Sequence, residues 1–239
     1  ENKFWKYIVG SIIIIFASFL GQIPLLMALL YETFVIGKPY PTNNEAVLRF
    51  FEPNLTLFLI LISFVFSMLG VVFVVRYLHH QTMLSITTSR DKVDWGRIRF
   101  SFSIWALFTI VSTLSFYHYN PNDFEINFKP VPFAILAVIG LLLIPIQTSS
   151  EEYIFRGYLM QGFGNLAKNK WFPLLMTSLI FGAMHISNPE VSKLGNIIMV
   201  YYIGTGLFLG VITLMDEGME LALGFHAANN LVGALLVTS

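Results

Sequence analysis

The sequence predicts an all-α fold: a polytopic transmembrane bundle of about eight helices around an intramembrane polar cavity. Two observations carry that reading. Hydrophobic residues make up 56% of the 239 and charged residues only 12%, where soluble domains carry roughly 25% charged residues, and the mean hydropathy is +0.70. Apolar runs long enough to cross a bilayer core, which takes about 20 residues per helix, also recur at 7–31, 54–78, 100–118, 131–147, 149–167, 171–187, 197–215 and 220–238.

The run at 7–31 contains Pro24 and is long enough to span, so no cleavable leader is expected. The run at 54–78 ends beside Arg76, with His79 and His80 expected at the interface. The connector from Arg76 to Arg99 holds Arg76, Arg90, Lys92, Arg97 and Arg99, the most basic stretch of the chain, and is expected on the cytoplasmic side. Lys3 and Lys6, two spans earlier, agree with an N-terminus on that side. Lys168 and Lys170 fit it less well if every later run crosses fully.

The run at 100–118 closes in FYHYN, where His118 reads as part of an aromatic interface belt. Pro132, Pro145 and Pro173 mark kinks or helix starts in the next runs. Gly204, Gly206 and Gly210 suggest close helix packing at 197–215, and Asp216, Glu217 and Glu220 read as a solvated connector. No linker is long enough to divide the chain and no repeat is visible, so 1–239 is expected to be a single transmembrane domain.

Net charge is zero and no basic stretch is interleaved with aromatics, which leaves nucleic-acid binding without support. The absence of cysteine excludes disulfides, thiolate zinc sites and a cysteine nucleophile.

Ionisable side chains at membrane depth cost several kcal/mol and point to function. The first such group is EEYIFR at 151–156. Glu152 and Arg156 are spaced i,i+4 in the order that favours an ion pair. Glu151 is rotated about 100° away, so the arginine can neutralise one carboxylate and leave the other available. A competing reading takes Ser149-x-x-Glu152 as a capping box that starts a helix. The second group is FGAMH at 181–185, whose His185 near the end of its run is either an interfacial residue or a catalyst. The third is HAANN, in which His226, Asn229 and Asn230 share one helix face. They serve either as polar glue between helices or as donors toward a developing anion. Together a carboxylate and an imidazole can deprotonate a water without any serine or cysteine. No HExxH motif is present, although two histidines and a glutamate leave zinc open.

EEYIFR matches EExxxR, FGAMH matches FxxxH, and HAANN matches HxxxN, in that order and on late helices. The chain resembles the CPBP family, also called ABI: intramembrane glutamic endopeptidases related to the type II CAAX prenyl protease. The resemblance rests on residues 131–238, which would form the catalytic core helices. It implies that Glu151 and His185 activate water, that Glu152 and Arg156 are a supporting pair, and that His226 and Asn230 form the oxyanion site, with Asn229 assisting. It implies no cofactor and no metal. The expected substrate is a membrane-associated peptide or protein, the expected setting a multi-pass position in a bacterial-type cell (inner) membrane, with a membrane protein partner compatible with both. The competing function class is a non-catalytic partner or scaffold subunit, or a proton-coupled transporter using the buried carboxylates.

Depth poses a problem for either class. His185 ends one run and His226 lies about six residues into another, with a full crossing between them. The two histidines can meet only if helices are tilted, shortened or broken, or if the site lies well inside the membrane.

Overall fold

The computed structural model describes residues 3–237. In chain order the helices are α1 (Phe4–Phe34), a short α2 (Asn44–Leu48), α3 (Pro53–Phe73), a short α4 (Met83–Thr87), α5 (Trp95–Tyr119), α6 (Pro130–Glu152), α7 (Met160–Ala167), α8 (Trp171–Met184), a short α9 (Pro189–Leu194), α10 (Ile198–Asp216) and α11 (Glu220–Leu236). Single π-helical segments extend α3 through Val74–Leu78 and join α6 to α7 through Tyr153–Leu159. No β-strand occurs among the described residues. The run expected at 220–238 ends in the structure at Leu236, and Thr238 lies outside the described residues.

Five of the helices are long and apolar enough to cross a membrane: Phe4–Phe34, Pro53–Leu78, Trp95–Tyr119, Pro130–Ala167 and Ile198–Asp216. Two more, α8 with 14 residues and α11 with 17, are shorter. The runs expected at 131–147 and 149–167 are one continuous helix of 38 residues, about 57 Å long. The capping-box reading of Ser149 therefore fails, because no helix begins there. The polar stretch 147–152 does not break the helix because the bundle supplies its partners. Thr148 Oγ bonds back to the Ile144 carbonyl at 3.1 Å, and Gln147, Glu151 and Glu152 reach α11 and Arg156.

One crossing fewer relocates the later charges. Lys168 and Lys170 now fall at the same end as Lys6 and the basic connector, which removes their conflict with that orientation. Hydrogen bonds across the bundle fix the two ends. At the first, Lys6 Nζ donates to Leu78 O at 3.5 Å and Asn165 Nδ2 to the Tyr7 hydroxyl at 3.2 Å. At the other, Asn44 Nδ2 donates to Ser187 O at 3.0 Å and Asn54 Nδ2 to Pro132 O at 3.1 Å.

The α10–α11 turn is not a solvated connector. Glu220 is fully buried. It accepts Arg90 Nη1 at 3.3 Å and the Asp94 backbone N–H at 3.2 Å. Asp216 accepts Arg90 Nη2 at 3.2 Å and is also paired with Arg97. Backbone bonds from Met219 to Thr87 O and from Ser89 to Glu217 O, both 2.9 Å, complete this clasp. His79 likewise leaves its expected interfacial place. It is buried, with Nε2 3.0 Å from the Tyr158 hydroxyl and its ring centroid 4.4 Å from that of Tyr7. His118 is exposed, as a belt residue would be.

Helices α8 and α10 pack closely because Gly206 has no side chain. A Cβ there would stand 3.0 Å from Ser178 Cα. Gly210 packs on Leu174 in the same way, whereas Gly204 faces open space.

This arrangement predicts sidedness, and a chain without cysteine permits a clean test. Single cysteines at Asp91 and Lys168 should be modified by a membrane-impermeant maleimide from one face of sealed vesicles, and cysteines at Lys38 and Asp123 only from the other. Labelling of Lys168 from the Lys38 side would refute the fused helix.

Candidate active site

The site is built where α6 meets its π-helical continuation. Four residues make slightly more than one α-helical turn. Gln147 and Glu151 therefore share one face, while Glu152 and Arg156 share another. Helix α8 brings Phe181 and, at its C-terminal end, His185. Helix α11 brings His226, Asn229 and Asn230.

Glu152 is completely buried, and Arg156 is 1% exposed at its side chain. A lone carboxylate in such a place is prohibitively unfavourable, so its partners define the structure around it. Its Oε1 accepts Arg156 Nη1 at 2.9 Å and His226 Nδ1 at 2.7 Å. Arg156 Nη2 donates to Gly206 O at 3.2 Å, so the missing side chain at Gly206 serves both helix packing and the arginine. The guanidinium also lies over the Phe181 ring at 4.6 Å, a cation–π contact strengthened by the absence of water. Phe181 meets the Phe155 ring edge-on at 5.2 Å and the His226 ring at 6.2 Å.

Glu151 points elsewhere, as its position on the helix requires. It lines a cavity of about 740 Å³ together with Gln147, His185 and Asn230. The far wall is supplied by α1 and α3, through residues such as Ser18, Phe19, Gln22 and Phe64. Glu151 Oε1 accepts Gln147 Nε2 at 2.6 Å. Oε2 has no hydrogen-bond partner among the described residues, and His226 Nε2 stands 3.7 Å from it.

His185 Nδ1 is 2.7 Å from Phe181 O. A carbonyl only accepts, so Nδ1 carries the hydrogen and Nε2 keeps its lone pair. The ring is stacked on Tyr202 with centroids 4.4 Å apart. Phe181 thus orients His185 with its carbonyl and Arg156 with its ring, which gives the FxxxH spacing a physical cause.

The two histidines come together beside a short helix: at 14 residues α8 is about 21 Å long, less than the roughly 30 Å width of a bilayer core. The His226 ring lies 6.2 Å from that of Phe181, one turn before His185.

All seven residues singled out from sequence gather in this region, but not in one shell. Glu151, His185 and Asn230 reach the cavity, whereas Glu152, Arg156, His226 and Asn229 stand behind its wall. Sequence reasoning missed Gln147, Phe181 as a structural centre, and Trp105, whose Nε1 donates to Asn229 Oδ1 at 3.0 Å. Gln147 had a signal: it is an amide inside an apolar run, four residues before Glu151. Trp105 had none, because nothing in the sequence pairs α5 with α11. Among the described residues, no group of three or more His, Cys, Asp or Glu side chains is placed to hold a metal ion.

The family model for the type II CAAX prenyl endopeptidase Rce1-like proteins matches residues 130–232. The chain is also 32% identical, over 239 residues, to the uncharacterized protein YyaK of Bacillus subtilis (strain 168), covering all of this chain and 79% of that protein. The chain belongs to the Rce1-like family. No solved structure matches it. This Rce1-like protein is accordingly a multi-pass integral membrane protein of the CAAX-protease class. The matched segment runs from the first residue of α6 into α11 and contains every residue of the three motifs. It leaves out α1, α3 and α5, which supply the far cavity wall and Trp105.

Removing one partner of a fully buried ion pair strands the other, at a cost of about 3–5 kcal/mol. Glu152→Ala and Arg156→Leu should each lower unfolding stability by that order in detergent. Glu151→Ala should cost about 1 kcal/mol or less, as for a cavity-facing group with one hydrogen bond. Equal effects at the two glutamates would contradict the assignment of Glu152 as the structural anion.

Proposed function

We propose that this protein is an intramembrane, metal-independent glutamic endopeptidase that hydrolyses a peptide bond of a membrane-associated peptide or protein. The observation that carries the reading is the unequal fate of two adjacent carboxylates. Glu152 is locked by Arg156 and His226 on its Oε1, away from the cavity, while Glu151 carries no cation-paired oxygen of that kind and lines the cavity shared with His185.

In this reading a water between Glu151 and His185 Nε2 loses a proton to that pair and attacks the peptide carbonyl carbon. The carbonyl oxygen becomes an oxyanion. Asn230, at the cavity, donates to it through Nδ2, and a protonated His226 stabilises its charge from behind the wall. The proton taken from water passes to the leaving nitrogen as the C–N bond breaks, and the new carboxyl group gives up its own proton to the amine, leaving a carboxylate and an ammonium group. Glu152 acts on His226 as a fixed acceptor: it holds the ring by Nδ1 and presents Nε2 toward Glu151. When His226 carries both ring protons, the charges on Glu151, Glu152, Arg156 and His226 sum to zero, which suits a dry site. No step requires a metal.

The cavity wall from α1 and α3 mixes apolar side chains (Ile14, Ile15, Phe19 and Phe64) with hydroxyl and amide groups (Ser11, Ser18, Gln22 and Ser67). This fits a peptide held at the membrane, either with a prenyl group near its C-terminus or as an unmodified apolar segment. The setting that agrees with the relative in Bacillus subtilis is a bacterial cell membrane. A membrane protein partner that presents the peptide is compatible with it.

The test uses purified protein with a fluorogenic CAAX-type peptide, prenylated and not, and with an unmodified hydrophobic peptide. Glu151→Ala and His185→Ala should each lower turnover by about 10²–10⁴-fold, as expected on losing a general base, without loss of folded protein. Turnover near that of the unsubstituted protein in either variant would sink the proposal. If instead the unsubstituted protein cuts none of the peptides, partner binding unchanged in Glu151→Gln would favour a scaffold and proton-coupled flux in liposomes a transporter.

A further inference from the structure

Four side-chain hydrogen bonds join end to end between α5 and Glu151. Trp105 Nε1 donates to Asn229 Oδ1 at 3.0 Å, and Asn229 Nδ2 to Asn230 Oδ1 at 3.1 Å. Asn230 Nδ2 donates to Gln147 Oε1 at 3.1 Å, and Gln147 Nε2 to Glu151 Oε1 at 2.6 Å. Every donor points the same way along the chain. The terminal groups force that sense: an indole N–H can only donate and a carboxylate can only accept. Each amide between them must therefore present its oxygen toward Trp105 and its nitrogen toward Glu151. Reversing one would set oxygen against oxygen or N–H against N–H at a neighbour.

We infer that Trp105, Asn229 and Gln147 form a directional relay that positions Asn230 and Glu151 relative to each other, and that Gln147 and Trp105 are positioning residues for the proposed hydrolysis. The inference rests on that reading of the site for its catalytic part. Asn230 is the residue that gains most. Its amide carries two N–H donors, one of which is fixed on Gln147 while its oxygen is fixed by Asn229. Both orientations of a free amide look alike to the helix, and only one aims nitrogen at a cavity anion. The relay selects that one. Gln147 meanwhile binds Oε1 of Glu151 and so leaves Oε2, a buried atom without a hydrogen-bond partner among the described residues, turned toward His226 Nε2 at 3.7 Å. A single side chain thus spans the proposed base and the proposed oxyanion donor. In a site shielded from water such chains also polarise each other.

Trp105 is suited to close the relay because its position is overdetermined. Its ring is stacked on Phe108 with centroids 4.8 Å apart and lies 4.1 Å from the Phe225 ring. Its N–H therefore stays on Asn229 with little freedom to lose. Trp105→Phe removes the donor and keeps an aromatic ring, which makes it the mildest break.

The experiment has two arms on the full-length protein in detergent. In the first, kinetics on the cleaved peptide should show kcat falling about 10–100-fold in Gln147→Ala, the range for loss of a partner that orients a functional ligand, with KM within about twofold. Trp105→Phe should lower kcat less, and should cost far less when introduced into Asn229→Ala, where the bond that joins Trp105 to the relay is already gone. A kcat unchanged in Gln147→Ala, or an undiminished effect of Trp105→Phe in the Asn229→Ala background, overturns the relay as a catalytic device. In the second arm, the indole ¹⁵N–¹H cross-peak of Trp105 is identified by its loss in Trp105→Phe. It should move in Asn229→Ala and also in Gln147→Ala, three hydrogen bonds away. A cross-peak that stays in place in Gln147→Ala overturns the relay itself. The two readings fail separately: cleavage surviving in Glu151→Ala removes Glu151 as the base, and the cross-peak then decides the relay alone.

Discussion

Glu152 is an anion with no route to water, and the bundle around it is arranged to make that tolerable. Its partners come from its own helix and from α11, through Arg156 and His226. The arginine in turn recruits a backbone carbonyl from α10 and an aromatic ring from α8. Four polar and aromatic contacts thus converge on one oxygen and one guanidinium, and they tie four helices together. Helix association in lipid has little hydrophobic driving force between apolar faces. Satisfying a buried charge is a stronger constraint than apolar packing there, and it has a definite geometry. The close approach of α8 and α10 falls at the same residue, since Gly206 leaves room for Ser178 and also offers its carbonyl to Arg156.

The other carboxylate is free because this one is bound. Two adjacent acids on a helix face directions about 100° apart, so neutralising Glu152 with residues behind the wall leaves Glu151 directed at the cavity. The π-helical turn from Tyr153 to Leu159 lies immediately after the pair. Such a turn carries an extra residue and is frequent at functional sites. Here it carries Arg156 and places Tyr158 against His79 and the backbone of Lys6. The polar site is thereby braced from the first helix as well as from the late ones.

The polar contents of this site were legible in the sequence, and its depth and shell structure were not. The i,i+4 rule is local, so the Glu152–Arg156 pair and the separate direction of Glu151 follow from spacing alone and stand in the structure. Spacing also groups His226 with Asn229 and Asn230. It cannot say which of the three reaches the cavity, because that depends on the rotation of α11 against α6. The fused α6–α7 helix escaped for a different reason. A polar stretch inside an apolar run looks like a boundary, and only partners from other helices reveal that it is buried. The same error made Asp216 and Glu220 read as solvated. Charges close to a turn look like surface until the arginines that neutralise them, over a hundred residues earlier, are seen beside them.

Those long-range partners also divide the molecule by task. The segment shared with the Rce1-like family, residues 130–232, holds the charged and histidine groups and can satisfy Glu152 by itself. It cannot enclose them. One side of the cavity is α1 and α3, and the amide series from Asn229 to Gln147 ends at a donor on α5. Apolar helices change their lipid- or cavity-facing residues at little cost to folding, since one aliphatic group replaces another. Residues joined in a buried polar network cannot vary in that way, because one lost member strands the next. Chemistry confined to the late helices and shape supplied by the early ones is therefore the division that physical constraint favours. For the proposed hydrolase, that argument would assign the choice of substrate to α1 and α3, where side chains such as Ser18, Phe19 and Gln22 line the cavity.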